Sequence, residues 1–201
     1  MKKFKQYLME TKSFSLEDKF HGLLKKQKPL TPDAKEMMDE WMGGFSMEVN
    51  DHLRGRNTSN PSMNQFIRDY DKIIEEHGIE LEEPLTVYRA TPHGKSTKHT
   101  GFLSTSLDPR FAVGVASGKE IPEWSERAAE HKILRITIPK GQRVMPVDAR
   151  HTKGSKLADY SKEYEILLPR GVNLEVHPNP TKVKIGSELR NLHNATIKEN
   201  Q

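Results

Sequence analysis

The sequence predicts an α+β domain, helices first and short strands after. Three observations carry this. Up to Gly78, apolar residues recur at helical spacing behind capping residues. After Gly78 the chain turns to short β-branched runs separated by turn residues. The two patterns do not alternate, which argues against a βαβ repeat. A chain of 201 residues is expected to form one domain with a real core. The pattern divides it into a mostly helical part at 1–80, a β-rich part at 81–190 and a tail at 191–201.

The elements follow in order. Residues 1–28 carry scattered apolar positions, among them Phe4, Leu8, Phe14, Leu16, Phe20, Leu23 and Leu24. Ser15 followed by Glu17 and Asp18 predicts a helix start, and Lys25, Lys26 and Lys28 suit its end before Pro29. Thr31-Pro32-Asp33 marks a second start, a cap followed by proline at the first helical position. Met37, Met38, Trp41, Met42, Phe45 and Val49 then recur at near-helical spacing and read as core. Gly43-Gly44 predicts a kink or a split within that stretch.

A polar loop at 54–61 leads to a helix from Ser62, with Phe66, Ile67, Tyr70, Ile73 and Ile74 on one side and His77-Gly78 as its C-terminal cap. Strand-like runs occupy 85–90, 101–106, 131–138, 142–147, 163–168, 172–177 and 181–186. Asp108-Pro109 opens one further helix, through residue 116. Two long polar connections remain, at 117–130 and 149–162; loops of that length are usually functional or mobile.

Composition narrows the function. Hydrophobic residues make up 34% and charged residues 30%, and no apolar run is long enough to suggest a membrane span. The N-terminus is basic without an apolar stretch, so no signal peptide is expected, and the expected location is the cytoplasm. The absence of cysteine excludes disulfides, thiolate metal sites and cysteine nucleophiles. The nine histidines show no metal-ligand spacing. A net charge of +4 can attract an anionic ligand or an acidic partner, but it is not the dense patch of a nucleic-acid binder.

Three motifs carry chemistry. Residues 85–90 form a strand-like run with Arg89 near its end, and residues 101–106 a second one ending in Ser104-Thr105-Ser106. Residues 163–168 place Glu163 and Glu165 at i and i+2, which on a strand point to one side with Tyr164 opposite, roughly 7 Å apart. Two acids aimed into one space can divide labour, one stabilising a cation and one handling a proton. Each motif alone is equally read as a solvated strand face or a strand-end ion pair.

In that order, the three motifs resemble the arginine–serine–glutamate clade of ADP-ribosyltransferases, which includes binary toxins, vertebrate ecto-enzymes and phage enzymes. The motifs and their intervening segments span residues 62–187. The resemblance implies N-terminal helices packed on a mixed, mostly antiparallel two-sheet core. It implies NAD as co-substrate, without a metal, and transfer of ADP-ribose to an arginine of a target protein, a host factor if the chain is a phage or bacterial effector. A monomer is expected, with no membrane or nucleic acid required.

By the same resemblance, Glu165 stabilises the ribosyl cation, Ser104 orients Glu165, and Arg89 grips the diphosphate. The backbone of Ala90 holds the nicotinamide amide, Thr105 and Ser106 steady the strands around the co-substrate, and Glu163 serves the acceptor. Phe111 can face the nicotinamide or pack in the core; its spacing from the serine strand favours the core. Trp124 can stack on a base, touch the target or anchor its loop. Lys95, Lys98, Arg110, Lys119 and Arg127 can assist phosphate binding or remain solvated, and His93, His99, His131 and His151 lie near the motifs. Two other functions stay open, an NAD glycohydrolase and a catalytically idle module binding protein or RNA.

Overall fold

The computed structural model describes residues 15–56, 59–92, 99–116, 131–148, 163–185 and 188–198. Helix α1 (Leu16–Lys26) begins where its sequence cap predicts. The Ser15 side chain accepts the Asp18 N–H, and the Asp18 carboxylate accepts the Ser15 N–H, a capping box. Helix α2 (Pro32–Glu40) starts behind Thr31, whose hydroxyl accepts from the Ala34 N–H. It runs into a π-helical turn, Trp41–Phe45, and then α3 (Ser46–Leu53). The split falls at the predicted glycines, and Gly44 takes φ 109°, open to glycine because it lacks a Cβ.

Helix α4 (Met63–His77) buries Ile67, Tyr70, Ile73 and Ile74 as the periodicity predicts. Gly78 is the C-terminal cap, as expected, but not in the left-handed conformation that often brings glycine to that position. Gly78 has φ −63°, and a Cβ there would lie 2.3 Å from the Ile74 carbonyl oxygen. Close approach of the chain, not handedness, requires glycine at this position.

The strands are β1 (Ile79–Glu80), β2 (Leu85–Pro92), β3 (Leu103–Ser106), β4 (His131–Ile138), β5 (Arg143–Val147), β6 (Glu165–Leu168), β7 (Leu174–Val176), β8 (Thr181–Ile185) and β9 (Glu188–Ile197). Helix α5 (Pro109–Ala116) lies between β3 and β4 in sequence. The hydrogen-bonded order is β1-β5-β6-β3-β2-β4-β9-β7, with β8 also on β9. The sheet is mixed: β4 and β9 run parallel, and the other pairs run antiparallel. Strand β9 corrects the expected tail at 191–201. The stretch has few β-branched residues, and its pairing with β4, β7 and β8 makes it a strand.

Strands β2 and β3 meet through the single pair Tyr88–Ser106. The path therefore reads as two sheets joined at a seam. Between them lies a core built from Leu85, Val87, Leu103, Leu134, Ile136, Ile166 and Leu168. On the outer face of β5 and β6, a second core unites Met38, Trp41, Tyr70 and Phe102 with Met145, Val147 and Leu167. Ala112, Val113 and Ala116 of α5 cover Ile133 and Leu192 on the far side. The chain thus stacks α2–α4, one sheet, the second sheet and α5, and the seam opens beside the π-helical turn and α3.

Candidate active site at the sheet seam

Strand alternation decides which side chains reach the seam. On β6, Ile166 and Leu168 enter the inter-sheet core, while Leu167 joins the helical layer. Glu165 shares a face with Leu167 and so points at the helices. Ser104 lies opposite Leu167 in the β3–β6 register and faces the same way. The Ser104 hydroxyl donates to Glu165 Oε1 at 2.5 Å, and the Trp41 indole N–H reaches the same oxygen at 3.5 Å. One carboxylate oxygen thus takes two donors from different layers of the fold.

Arg89 comes from the other side of the seam. It lies within β2, which continues to Pro92 rather than ending near Arg89. Its Nη1 donates to the Ser104 carbonyl, tying β2 to β3 where their ladder is thin. Its Nε is enclosed and has no hydrogen-bond partner among the described residues. Ala90 points away from Arg89 and packs with Tyr88 in the cluster under α5, and it does not line the cavities described next.

Two adjoining cavities occupy the seam. One of about 170 Å³ is lined by Glu163, Glu165, Ser104, Trp41, Met42, Ser46 and Val147. The other, about 340 Å³, is lined by Arg89, Arg54, Arg56, Asn50, Asp51, Met47 and again Trp41, Ser46 and Ser104. Both glutamates of the Glu-x-Glu motif therefore line one space, and three arginines line the next. Thr105 and Ser106 are buried and tie strands together. Thr105 Oγ1 donates to the Ile166 carbonyl at 2.6 Å, and Ser106 Oγ donates to the Glu163 carbonyl. Neither lines these cavities, and neither does Phe111, half-buried in the first turn of α5. Arg110 is engaged by Asp108 through three charge-assisted contacts of 2.6–3.0 Å. Trp124, His93, Lys95, Lys98, Lys119, Arg127 and His151 lie outside the described residues, as do the connections at 117–130 and 149–162.

The route to the paired carboxylates differs from the expected one. Strand β6 begins at Glu165, and Tyr164 adopts φ 46°, so Glu163 is not on the strand and simple alternation does not orient it. The chain bends at Tyr164 and still delivers Glu163 to the Glu165 cavity.

Burial and charge set the ionisation here. Desolvation raises the Glu165 pKa above the usual carboxylate range, and the Ser104 and Trp41 donors and the Arg89 charge oppose it. Desolvation, then the Arg54 charge, lowers Arg89 to about 10, with Glu165 opposing, so Arg89 remains a cation at neutral pH. Desolvation and the nearby Arg89 and Arg54 charges push His99 down to about 4, which leaves it neutral at pH 7. The site is thus a raised carboxylate against a fixed cation. No group of His, Cys, Asp and Glu side chains able to hold a metal occurs among the described residues.

The helical half contributes residues the motifs do not announce. Trp41, Asn50, Arg54 and Arg56 form one wall. Trp41 is 2% exposed and belongs to the core stripe, so periodicity identifies it as packing and hides its second role. The available signal was the pairing of Asn50 and Arg54 at i and i+4, one face of a helix.

The sequence model of a family described as ADP-ribosyltransferase exoenzyme matches residues 90–199. Among solved structures, the chain is similar to Plx2a, an ADP-ribosyltransferase toxin from Paenibacillus larvae, at 21% identity and TM-score 0.58, covering 85% of this chain and 88% of that one. It is similar to an ADP-ribosyltransferase from Clostridium botulinum, solved in a triclinic crystal form, at 13% identity and TM-score 0.62, covering 93% and 96%. It is also similar to the ADP-ribosylating toxin BECa of a binary enterotoxin of C. perfringens, solved with NADH, at 17% identity and TM-score 0.57, covering 90% of this chain and 46% of that one. No curated protein matches the chain. At these identities the structural matches establish the shared fold.

Proposed function

The chain belongs to the ADP-ribosyltransferase exoenzyme family, and on that premise we propose that it transfers ADP-ribose from NAD to arginine side chains of a target protein. NAD is the family's co-substrate. The residues present suit it: Arg54, Arg56 and Arg89 line one cavity, and guanidinium groups grip diphosphate oxygens with a planar fork of donors. The observation that carries the reading is the smaller cavity, where Glu163 and Glu165 converge beside Ser104.

In the reaction, the bond between the nicotinamide nitrogen and the ribose carbon breaks, and nicotinamide leaves with the electron pair. The ribose carbon gains oxocarbenium character, as in glycoside cleavage. The Glu165 carboxylate, withdrawn from water, favours that positive charge. The hydroxyl of Ser104 and the indole of Trp41 hold one of its oxygens, which among the described residues leaves Oε2 for the ribose. A guanidinium is a poor nucleophile because it keeps its proton throughout the physiological pH range. Glu163 aligns it and takes the proton released as the new C–N bond forms. Water needs no such carboxylate for binding, which favours transfer over hydrolysis.

The proposed setting is a phage or bacterial effector acting on a host protein in the cytoplasm; that the matched structures of like fold are toxins supports the effector part of this reading. The test is incubation of the protein with labelled NAD and a cell lysate, followed by mass spectrometry. The expected result is labelled proteins carrying ADP-ribose on arginine, absent with Glu165→Ala. Free ADP-ribose without labelled protein would replace transfer by hydrolysis, and intact NAD would remove the enzyme.

A further inference from the structure

The bend at Tyr164 is built more firmly than a connection between two acids requires. Tyr164 is the non-glycine residue with positive φ among the described residues, and a left-handed conformation is disfavoured for a bulky L-residue. Such a conformation persists when its surroundings over-determine it. Three contacts do so. The Glu163 carbonyl accepts from the Ser106 hydroxyl. The Tyr164 carbonyl accepts from the Leu107 N–H at 3.1 Å. The Tyr164 ring packs edge-on against Phe20 of α1, centroids 5.6 Å apart and planes at 65°. Phe20 is 4% exposed and belongs to the inter-sheet core, so the socket for Tyr164 is rigid.

Glu165 does not depend on that socket. It is fixed by the ladder, opposite Ser106 and Val147, and by the Ser104 hydroxyl. The two acids are therefore held by separate supports: Glu165 by the sheet, Glu163 by a left-handed hinge whose ring is anchored in α1. Relaxing Tyr164 to an extended φ would rotate Glu163 relative to Glu165 and leave Glu165 in place.

We propose that Tyr164 and Phe20 are positioning residues for the acceptor side of the reaction, and that their ring contact sets how much ADP-ribose reaches arginine and how much is lost to water. This rests on the reading of Glu163 as the acceptor-side carboxylate. The partition follows because bond cleavage needs Glu165, whereas capture by a guanidinium needs Glu163 within bonding reach. A displacement of about 1 Å in a reacting group can remove about 100-fold in rate. The α1 helix, remote from both motifs in sequence, thereby becomes a determinant of product.

The experiment compares nicotinamide release with transfer to agmatine, a small guanidine, using the full chain. Phe20→Ala is expected to lower the ratio of agmatine transfer to nicotinamide release by at least about tenfold, with an unchanged KM for NAD. Tyr164→Gly tolerates φ 46° but lacks the ring, and is expected to lower the ratio likewise. Tyr164→Phe keeps the ring and is expected to retain the wild-type ratio. Should Phe20→Ala fail to fold, Phe20→Leu fills the socket without an aromatic edge and is expected to lower the ratio in the same direction. Equal loss of both activities, or a wild-type ratio in Tyr164→Gly, overturns the proposal. A wild-type protein that releases nicotinamide but never labels agmatine or protein arginine ends the acceptor reading itself, and the proposal with it, before any variant is compared.

Discussion

The Ser104 hydroxyl and Glu165 Oε1 lie 2.5 Å apart, on neighbouring strands and on the face that looks at the helices. That bond does two things. It fixes the carboxylate in one rotamer, and it offsets part of the desolvation that raises the Glu165 pKa. Ser104→Ala is therefore expected to lower kcat by about 10- to 100-fold with little change in KM for NAD, the range for losing one hydrogen bond to a charged group. The acid limb of the rate profile should also move to higher pH, because the raised pKa rises further. Trp41→Phe, which keeps the ring and drops the N–H, should move it the same way by less. An unmoved acid limb in both variants would remove these donors from the control of Glu165.

Glu163→Gln separates the two acids. The amide keeps the size and loses the charge and the proton-accepting oxygen. Nicotinamide release should persist within about threefold, while transfer to a guanidine should fall by about 100-fold or more, the lower part of the range for general acid–base catalysis. Product analysis by mass spectrometry reads both in one reaction.

The arginines predict a split between binding and folding. Arg54 is partly exposed, and its pairing with Asp51 at 3.5 Å lies at the surface, where such pairs contribute little. Arg54→Ala should raise KM for NAD by roughly tenfold, from loss of a charge-assisted contact, and shift the melting temperature little. Arg89→Lys should raise KM and also lower the melting temperature. An ammonium cannot hold the Ser104 carbonyl and an anion with the same planar fork.

His99 gives a pH dependence of stability with a definite sign. Its pKa falls from the ordinary 6.5 to about 4 on folding, so the unfolded chain binds the proton more tightly. The stability linked to this site is present above pH about 6.5 and is lost as pH falls toward about 4. Glu165 acts in the opposite direction, since a raised pKa favours the folded state at low pH. The comparison of wild type with His99→Gln isolates the histidine. Melting temperatures measured from about pH 7 to about pH 4 should fall less steeply in the variant.

Much of this architecture was legible in the chain because local chemistry and global packing agree there. Ser15 with Asp18, and Thr31 with Pro32, announce helix starts that the structure places at the same residues. The runs containing Arg89, Ser104 and Glu165 are β-rich and bounded by turns, and the fold brings all three to the seam. What stayed hidden depends on tertiary partners. Residues 188–197 alternate weakly, and neighbours on both sides make them a strand. Tyr164 carries no sequence sign of a left-handed backbone, so alternation placed Glu163 near the right cavity for the wrong reason. Trp41 fits a core stripe, and a residue that is both core and site cannot be split by periodicity.

The contact between Trp41 and Glu165 joins positions 124 residues apart. If Glu165 acts as proposed, it makes catalysis a late event in the life of each molecule. A nascent polypeptide holds the tryptophan wall long before β6 leaves the ribosome, and until then it has nothing with which to attack the dinucleotide pool of the cell making it. Proteolysis between the two positions, with separation of the pieces, would silence the reaction at a stroke, since neither piece keeps both the wall and the acid.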